Sequence, residues 1–278
     1  MTRIIADTTA CLPDVIREKY HIPVVPQMIH FEERSYTEGI DIDTDRFLEI
    51  LQAASQLPKT SAPPPELFSS HFQQFSKLDE TILCIHPSAD LSGTVRSAET
   101  ARLDFPDLDI RILDTRLVAS PLGTVVHQAA RWAEEDTPPD EIHQRIAQLA
   151  SRGKIYFLVA SLDYLSRGGR IGGASALLGN ALQIKPILTL TDGRVEPYAK
   201  ERTFKKALAS LKTLVLEEYP AKESGFMSIM HAGNQELAEE LADYFIQNLS
   251  IPKPLISYLP PAIITHAGPG SIAVGFFS

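Results

Sequence analysis

Small hydroxyl and glycine residues stand where a strand gives way to a helix, in the stretch "HPSADLSGTVRSAET" (residues 86–100). The first turn of a helix carries backbone N–H groups without partners and a partial positive charge. The hydroxyl of Ser92 and the open backbone of Gly93 can therefore form an anion pocket just ahead of Thr94. The same residue types are typical of an ordinary N-cap, in which Ser92 or Thr94 stabilises only its own helix.

Two more hydroxyls, those of Thr60 and Ser61, precede a proline-stiffened helix start in "KTSAPPPELF". A rigid turn after two hydroxyls can hold hydrogen-bond donors toward a ligand. Threonine and serine before proline are also common in plain helix capping. This motif indicates a ligand-binding site only in combination with the first motif.

The stretch "THAGPGSIA" places Thr265 and His266 before a Gly-Pro-Gly turn. The apolar run ahead of them predicts a strand that ends at these two residues. A single histidine is more often structural than functional, but a strand end beside glycines is a good position for a ligand contact.

A basic, glycine-rich turn follows in "RGGRIGG", where Gly168 and Gly169 are flanked by Arg167 and Arg170. Such turns usually bind phosphate or contact an acidic partner. The alternative is a solvated loop.

Several familiar catalytic motifs are absent from the sequence: the phosphate-binding loop, the dinucleotide fingerprint, the zinc-protease helix and the G-x-S-x-G elbow. Nucleotide binding and metalloprotease chemistry therefore have no motif to support them. A hydrolase or acyltransferase that uses Ser92 with His266 stays open as an alternative. Its nucleophile would lie at a helix start rather than on an elbow.

The elements that must position these residues alternate between strand and helix in the first half of the chain. Apolar runs such as "RIIAD", "TILCIH" and "DIRILD" predict strands, and the helices between them predict a largely parallel, Rossmann-like sheet. Ligands of such sheets bind at the carboxyl ends of the strands. The second half, with a hairpin predicted at Asp192-Gly193, is typical of an α+β layer. We predict an α/β protein of two domains, residues 1–153 and residues 154–278.

Composition narrows the function classes. The net charge of −9 and the pI near 5.4 disfavour nucleic acid as a partner. No apolar run reaches the length of a membrane-spanning helix, and the N-terminus has no signal-peptide pattern. Two isolated cysteines, Cys11 and Cys84, predict neither a disulfide framework nor a zinc site. We therefore expect a cytoplasmic protein without an integral membrane segment.

Taken together, the motifs resemble those of the DegV family along the whole chain. The matching stretches are "ADTTACLP", "KTSAPP", "LSGTVRSAE", "ILDTRLVASPLG", "LDYLSRGGRIGG", "KPIL", "GRVEPYAKERTFKKAL", "HAGN" and "THAGPGSIAVGF". Several short motifs in a fixed order are far more specific than any one of them. The resemblance implies a two-domain fold that holds a long-chain fatty acid between its domains.

The resemblance implies that this is a lipid-binding protein similar to the FakB proteins, which present the bound acid to a partner kinase. The protein would have no catalytic residues, metal or cofactor of its own, and its role would lie in phospholipid synthesis with a ligand such as palmitate. The implied carboxylate contacts are Thr60, Ser61, Ser92, Gly93, Thr265 and His266. The implied contacts for docking of the fatty acid kinase are Arg170 and Arg202.

Three positions depart from the family pattern. Cys11 stands where an acidic residue is usual, Ala62 replaces the glutamine after Thr-Ser, and Asp90 replaces a small or basic residue before Leu-Ser-Gly-Thr. A carboxylate at position 90 would weaken the binding of an acid if it pointed inward. We expect Asp90 to face water.

Overall fold

The fold is described by a computed structural model that covers residues 2–54, 56–76, 80–178, 184–220 and 226–278. The strands are β1 (Thr2–Asp7), β2 (Val24–Val25), β3 (Met28–Phe31), β4 (Arg34–Thr37), β5 (Lys59–Ser61), β6 (Thr81–His86), β7 (Ile110–Asp114), β8 (Gly153–Leu158), β9 (Lys185–Thr191), β10 (Arg194–Glu201), β11 (Ser228–His231), β12 (Leu255–Tyr258) and β13 (Ile272–Phe277). The α-helices are α1 (Asp14–Lys19), α2 (Thr44–Ala53), α3 (Pro65–Phe75), α4 (Thr94–Arg102), α5 (Ala119–Glu134), α6 (Pro139–Ser151), α7 (Asp163–Arg167), α8 (Phe204–Glu218), α9 (Gln235–Leu249) and α10 (Pro261–Ala267). Short 3-10 helices cover Thr8–Ala10 and Gly172–Leu177.

The first lobe is built on a four-stranded parallel sheet with the order β2-β1-β6-β7. Its central strands, β1 and β6, are buried on both faces, as their continuous apolar runs require. The predicted parallel sheet is therefore confirmed. We call the elements around it the parallel-sheet lobe.

The second lobe contains a six-stranded mixed sheet with the order β10-β9-β8-β13-β11-β12. The predicted hairpin joins β9 to β10, where Asp192 and Gly193 have φ angles of 49° and 78°. Two consecutive positive φ angles are the geometry of the tight turn that Asp-Gly favours. We call the elements around this sheet the mixed-sheet lobe. The parallel sheet and this mixed sheet together confirm the predicted α/β fold with a second α+β layer.

A small antiparallel sheet, β4-β3-β5, lies between the lobes and was not expected from the sequence. The apolar stretch "IPVVPQMIHF" (residues 22–31) predicts a single strand, but it forms β2 in the parallel sheet and β3 in the small one. Pro26 lies between the two, and proline lacks the N–H group that a continued ladder needs. The apolar side of β3 packs on the mixed-sheet lobe through Ile29 and Phe31, in a cluster that includes Met230 and Ile264.

Strand β13 joins the two lobes. It lies between β8 and β11 inside the mixed sheet, where all six of its residues are buried. Its last residue, Phe277, packs into the core of the parallel-sheet lobe with Leu122 and Val126 of α5. The boundary at residues 153/154 falls at the start of β8 and stays a prediction.

Candidate functional site

One cavity lies between the two lobes, and its walls come from both. Leu91 and Val118 line it from the parallel-sheet lobe, and Ile155, Phe157 and Ile272 line it from the mixed sheet. About 130 Å³ is open to the centre of a water molecule, far more than a single buried water needs. Most of the lining is apolar. Polar side chains gather at one end, which we call the polar end: Thr60, Ser92, Arg170 and His266.

Helix α4 begins at the polar end without a conventional cap. Its N-cap residue is Gly93, with φ −75° and ψ 4°, and no side chain caps the helix. The hydroxyl of Ser92 lies 2.7 Å from that of Thr94 and accepts a long bond from the Thr94 N–H at 3.3 Å. The capping interpretation of Ser92 and Thr94 is therefore not what the helix start shows. Gly93 packs against Ala62, whose methyl group would be 3.4 Å from an added Cβ.

Thr60 and Ser61, the two neighbouring hydroxyl residues of the sequence motif, lie on opposite faces of strand β5. The hydroxyl of Thr60 lies 2.8 Å from the Nε2 atom of His266, at the polar end of the cavity. The hydroxyl of Ser61 lies 2.8 Å from the Nε2 atom of His30, on an exposed surface. Successive side chains of a strand point to opposite faces. The cavity lining accordingly includes Thr60 but not Ser61.

The prediction that Thr265 and His266 end a strand is wrong, because both lie in the last turn of α10. Two prolines open this helix, Pro260 as N-cap and Pro261 as its first residue, and Gly268 ends it with φ 82°. Proline at a helix start and glycine just past its end are the usual signals of helix limits. The Thr265 side chain bonds back to the preceding turn of the helix, where its hydroxyl donates to the Pro261 carbonyl at 2.9 Å. His266 instead reaches the cavity.

His266 is held as a neutral imidazole. Burial lowers its pKa to about 4, and the charge of Arg170 acts in the same direction. Its Nδ1 atom is buried and has no hydrogen-bond partner among the described residues. Gly168 lies so close that an added Cβ would be 2.2 Å from this nitrogen. A buried N–H without an acceptor is costly, so the geometry favours a proton on Nε2, which then donates to Thr60.

Ser92 and His266, the pair that a hydrolase would use, do not bond to each other. The hydroxyl of Ser92 pairs with Thr94, and the Nε2 atom of His266 pairs with Thr60. A nucleophile and its general base need direct hydrogen-bond contact. No observation at this site favours the hydrolase alternative.

The two arginines of the predicted docking pair lie in different places. Arg170 lines the cavity, donating from Nε to the Leu91 carbonyl at 2.9 Å and from Nη1 to the Gly168 carbonyl at 2.7 Å. It also lines an adjoining surface opening with Lys59 and Arg167. Arg202 is exposed between β10 and α8, and the described lining of both cavities does not include it.

A search of protein-family models gives a match over residues 1–278 to DegV, described as a family of uncharacterised proteins. The chain belongs to the DegV family. A DegV domain-containing protein of Halalkalibacterium halodurans is 34% identical over 275 residues, which cover 99% of this chain and 97% of that protein.

Solved structures of the DegV family have the same fold. One is a fatty acid binding DegV family protein from Thermus thermophilus, with a TM-score of 0.91, 29% identity, and coverage of 100% of this chain and 99% of that one. Another is a fatty acid binding DegV family protein from Streptococcus agalactiae, with a TM-score of 0.92, 30% identity, and coverage of 100% and 98%. The two-lobed architecture is therefore that of DegV proteins.

The polar end of this DegV cavity adjoins a buried polar network that the sequence motifs did not reveal, and two members of the network, Thr9 and Gln27, line the cavity themselves. Gln27 is 3% exposed, and its side-chain amide donates to Asp7 at 3.1 Å and to Thr94 at 2.8 Å. Asp7 also accepts from Thr9 and bonds to His86 at 2.8 Å. Asp7 ends the predicted strand "RIIAD" and Thr9 follows it, so the sequence already placed both at the carboxyl end of a parallel strand, where ligands bind. Gln27 had no such signal, because its surroundings predicted an ordinary strand.

Asp90, one of the departures from the DegV pattern, points away from the cavity. Its carboxylate pairs with Arg194 at 2.9 Å and with Arg116 at 3.1 Å, and these contacts lower its pKa. Arg194 belongs to the mixed-sheet lobe and Arg116 to the parallel-sheet lobe. The expectation that Asp90 faces only water is therefore incomplete, since the Asp90 carboxylate forms ion pairs with both lobes.

The other two departures lie close to the cavity. Ala62 lines it beside Gly93, and Cys11 lies in the turn after β1, where burial raises the pKa of its thiol. Both Cys11 and Cys84 are free thiols.

Within the described ranges, the side chains of His, Cys, Asp and Glu form no group suited to a metal ion. Over the same ranges, every helix is too short or too polar to span a bilayer.

Proposed function

We propose that this DegV protein binds a long-chain fatty acid, with the carboxylate at the polar end and the acyl chain along the apolar section of the cavity. The observation that carries the proposal is a single cavity that combines clustered donors at one end with apolar walls elsewhere. The binding of fatty acids by structural neighbours from Thermus thermophilus and Streptococcus agalactiae supports it.

The acyl chain would supply most of the affinity. Burial of an acyl chain contributes about 0.8 kcal/mol per CH₂ group, so a sixteen-carbon chain offers roughly 10 kcal/mol. A hydrogen bond to a charged group adds only about 1.5–3 kcal/mol. Retention of the lipid therefore depends mainly on the apolar section, and the polar end sets the position of the head group.

The direct donors to the carboxylate would be uncharged, because Arg170 donates to the Leu91 and Gly168 carbonyls. These donors are the hydroxyls of Thr60 and Ser92, the backbone N–H groups at the start of α4 beside Gly93, and neutral His266 acting through Thr60. A desolvated carboxylate must find donors or take up a proton. The hydroxyls of Ser61 and Thr265 are engaged elsewhere, so we do not include them among the direct contacts.

We further propose that the protein presents the bound acid to a partner fatty acid kinase in the cytoplasm, which converts it to an acyl phosphate for phospholipid synthesis. The adjoining opening supports this, because it shares Thr60, Arg170 and His266 with the cavity and carries two more cations, Lys59 and Arg167. Negative phosphate groups of the kinase reaction would be attracted to such a surface. Arg202 is proposed to contact the kinase itself.

Organic extraction followed by mass spectrometry tests the first proposal. We expect about one long-chain fatty acid per protein chain, and reloading with palmitate after delipidation. An unrelated protein purified from the same cells is the control. Neither a co-purifying fatty acid nor uptake of added palmitate would refute fatty acid binding.

A coupled assay tests presentation to a kinase. The palmitate-loaded protein is mixed with ATP and a purified fatty acid kinase, and acyl phosphate is trapped as a hydroxamate. We expect product only with all three components, and Arg202→Glu should raise the concentration of loaded protein needed for half-maximal rate. Arg17→Glu, on the exposed helix α1, is the charge-matched control. Lipid release without ATP, or product without the kinase, would contradict the proposal.

A further inference from the structure

We propose that Gln27 and Thr94 are positioning residues that fix the hydroxyl of Ser92 as a hydrogen-bond donor toward the cavity. The polar end would then select a head group that only accepts hydrogen bonds, such as a carboxylate, over a neutral hydroxyl on the same tail. This inference rests on the proposed fatty acid binding.

The direction of the hydrogen bonds starts at Asp7, which is fully buried. Its Oδ1 atom accepts from the backbone N–H of Thr9 at 3.0 Å, so this oxygen is an acceptor. The nitrogen of the Gln27 side chain lies 3.1 Å from the same oxygen and must therefore donate to it. This bond fixes the orientation of the Gln27 amide.

The second hydrogen of the Gln27 amide goes to Thr94. The nitrogen lies 2.8 Å from the Thr94 hydroxyl oxygen, and a primary amide nitrogen only donates. The Thr94 hydroxyl therefore accepts from Gln27. Its own hydrogen is free to donate to Ser92, whose oxygen is 2.7 Å away.

Ser92 is the last member of the chain, and it lines the cavity together with Gln27. Its oxygen accepts from the hydroxyl of Thr94 and, over 3.3 Å, from the Thr94 N–H. The remaining hydrogen of the Ser92 hydroxyl is left to donate to the ligand. Gln27 and Thr94 are 3% and 0% exposed, so water does not compete for these bonds.

Thr60 is set in the same direction from the other side of the cavity. His266 has its protonated Nε2 atom 2.8 Å from the Thr60 hydroxyl, because its Nδ1 atom faces Gly168 without an acceptor. Thr60 then accepts from His266 and donates into the cavity. Both hydroxyls at the polar end are thus donors by construction.

The consequence is selectivity that depends on hydrogen-bond direction. A carboxylate oxygen accepts from both hydroxyls, whereas the hydrogen of an alcohol head group finds no free lone pair on the Ser92 oxygen, which already accepts two bonds from Thr94. A buried donor without a partner costs more than a hydrogen bond contributes. Palmitate should therefore bind more tightly than 1-hexadecanol, although their tails are the same.

The test measures the dissociation constants of palmitate and 1-hexadecanol with delipidated protein and compares their ratio between variants. Ser92→Ala should reduce the preference for palmitate about tenfold, as expected for loss of one bond to a charged group. Gln27→Glu puts an oxygen where the amide donated, so Thr94 turns toward residue 27 and Ser92 toward Thr94. We expect this variant to lose at least as much preference as Ser92→Ala, although Ser92 is still present.

A double-mutant cycle separates positioning from a merely structural role. If Gln27 acts through Ser92, the variant Gln27→Glu/Ser92→Ala should show the same ratio as Gln27→Glu alone. Fully additive losses would overturn the inference. Gln128→Glu, another buried glutamine, in α5, is the matched control and should leave the ratio unchanged.

Thr94 gives an independent test if Gln27→Glu does not fold. Thr94→Ser keeps the relaying hydroxyl and should keep the ratio of the unmodified protein, and Thr94→Val should lower it severalfold. An unchanged ratio in a folded Thr94→Val variant that still binds palmitate would also overturn the inference. Failure of every variant and of the unmodified protein to bind palmitate would instead refute the proposed function.

Discussion

The apolar section and the polar end of the cavity are built from different kinds of structure. The apolar walls come largely from neighbouring strands of one sheet, with Ile155 and Phe157 on β8, Leu190 on β9 and Ile272 on β13. The polar end is assembled from the ends of separate elements, where β5, α4 and α10 meet. The backbone of a sheet wall is held by the ladder of hydrogen bonds between its own strands. A site made of element ends depends on every hydrogen bond that holds those ends together.

The largest effect is expected from filling the apolar section. Ala273 lies on β13, is 4% exposed and lines the cavity. We expect Ala273→Phe to reduce palmitate binding more than a hundredfold, because loss of four or more buried CH₂ groups removes over about 3 kcal/mol. Lipid content by mass spectrometry and a thermal melt would be measured together. Ala209→Phe on the exposed side of α8 is the control; a folded Ala273→Phe protein with full lipid content would place the acyl chain elsewhere.

Substitutions at the polar end should affect retention of the bound lipid less than presentation of its carboxylate to the kinase. We expect the combined Ser92→Ala and His266→Ala variant to keep much of its bound lipid, because the tail dominates affinity. Acyl phosphate formation with ATP and a purified kinase should fall by a larger factor, since the head group is no longer held at the opening. Ser228→Ala, a buried serine of β11, is the control. Equal loss of lipid and of product would mean that the two ends of the cavity do not act separately.

The pH dependence of stability should distinguish the polar end from the rest of the molecule. His266 has a pKa of about 4 in the folded protein and about 6.5 when unfolded. The unfolded state therefore binds the extra proton between these values, and the contribution of His266 to stability is lost as the pH falls from about 6.5 to about 4. Urea unfolding of delipidated protein at pH 7 and pH 5, compared with that of His266→Gln, separates this loss from the opposite contribution of Glu38, whose buried carboxyl has a pKa of about 7. We expect His266→Gln to reduce it and His143→Gln, at an exposed position of α6, to leave it unchanged.

The smallest effect is expected outside the cavity, at Asp90. Asp90→Asn removes the charge that pairs with Arg116 and Arg194 across the lobes. Exposed ion pairs are weak and screened by salt, so we expect a slight drop in melting temperature that disappears in high salt. Lipid content should not change. Asp14→Asn, in the surface pair with Arg17, is the control; loss of lipid in Asp90→Asn would show that the tie between lobes also shapes the cavity.

Much of the fold could be predicted from local sequence patterns. The parallel strands, the helix that begins at Thr94 and the hairpin at Asp192-Gly193 all follow from short-range chemistry. The one error about a polar-end residue arose where two local signals compete. The apolar run before His266 predicted a strand, but the prolines before it and Gly268 after it delimit a helix.

The cavity itself could not be predicted from patterns. Its walls bring together residues as far apart in the chain as Leu91 and Ile272, and apolar side chains that line a tunnel look like any other core residues. Gln27 was missed for a related reason. Its contacts to Asp7 and Thr94 exist only after three separate segments have packed, so no spacing in the sequence marks it.

The central place of β13 has a consequence for how the chain reaches its native state. Residues 272–277 pair with β8 on one side and β11 on the other, and Phe277 fills the core of the opposite lobe. These pairings join segments that are remote along the chain, and such contacts form slowly. Neither lobe can finish packing while these residues are still within the ribosome. The site for the lipid is therefore completed only after residues 272–277 have been synthesised and paired, so loading is expected to follow the folding of both lobes.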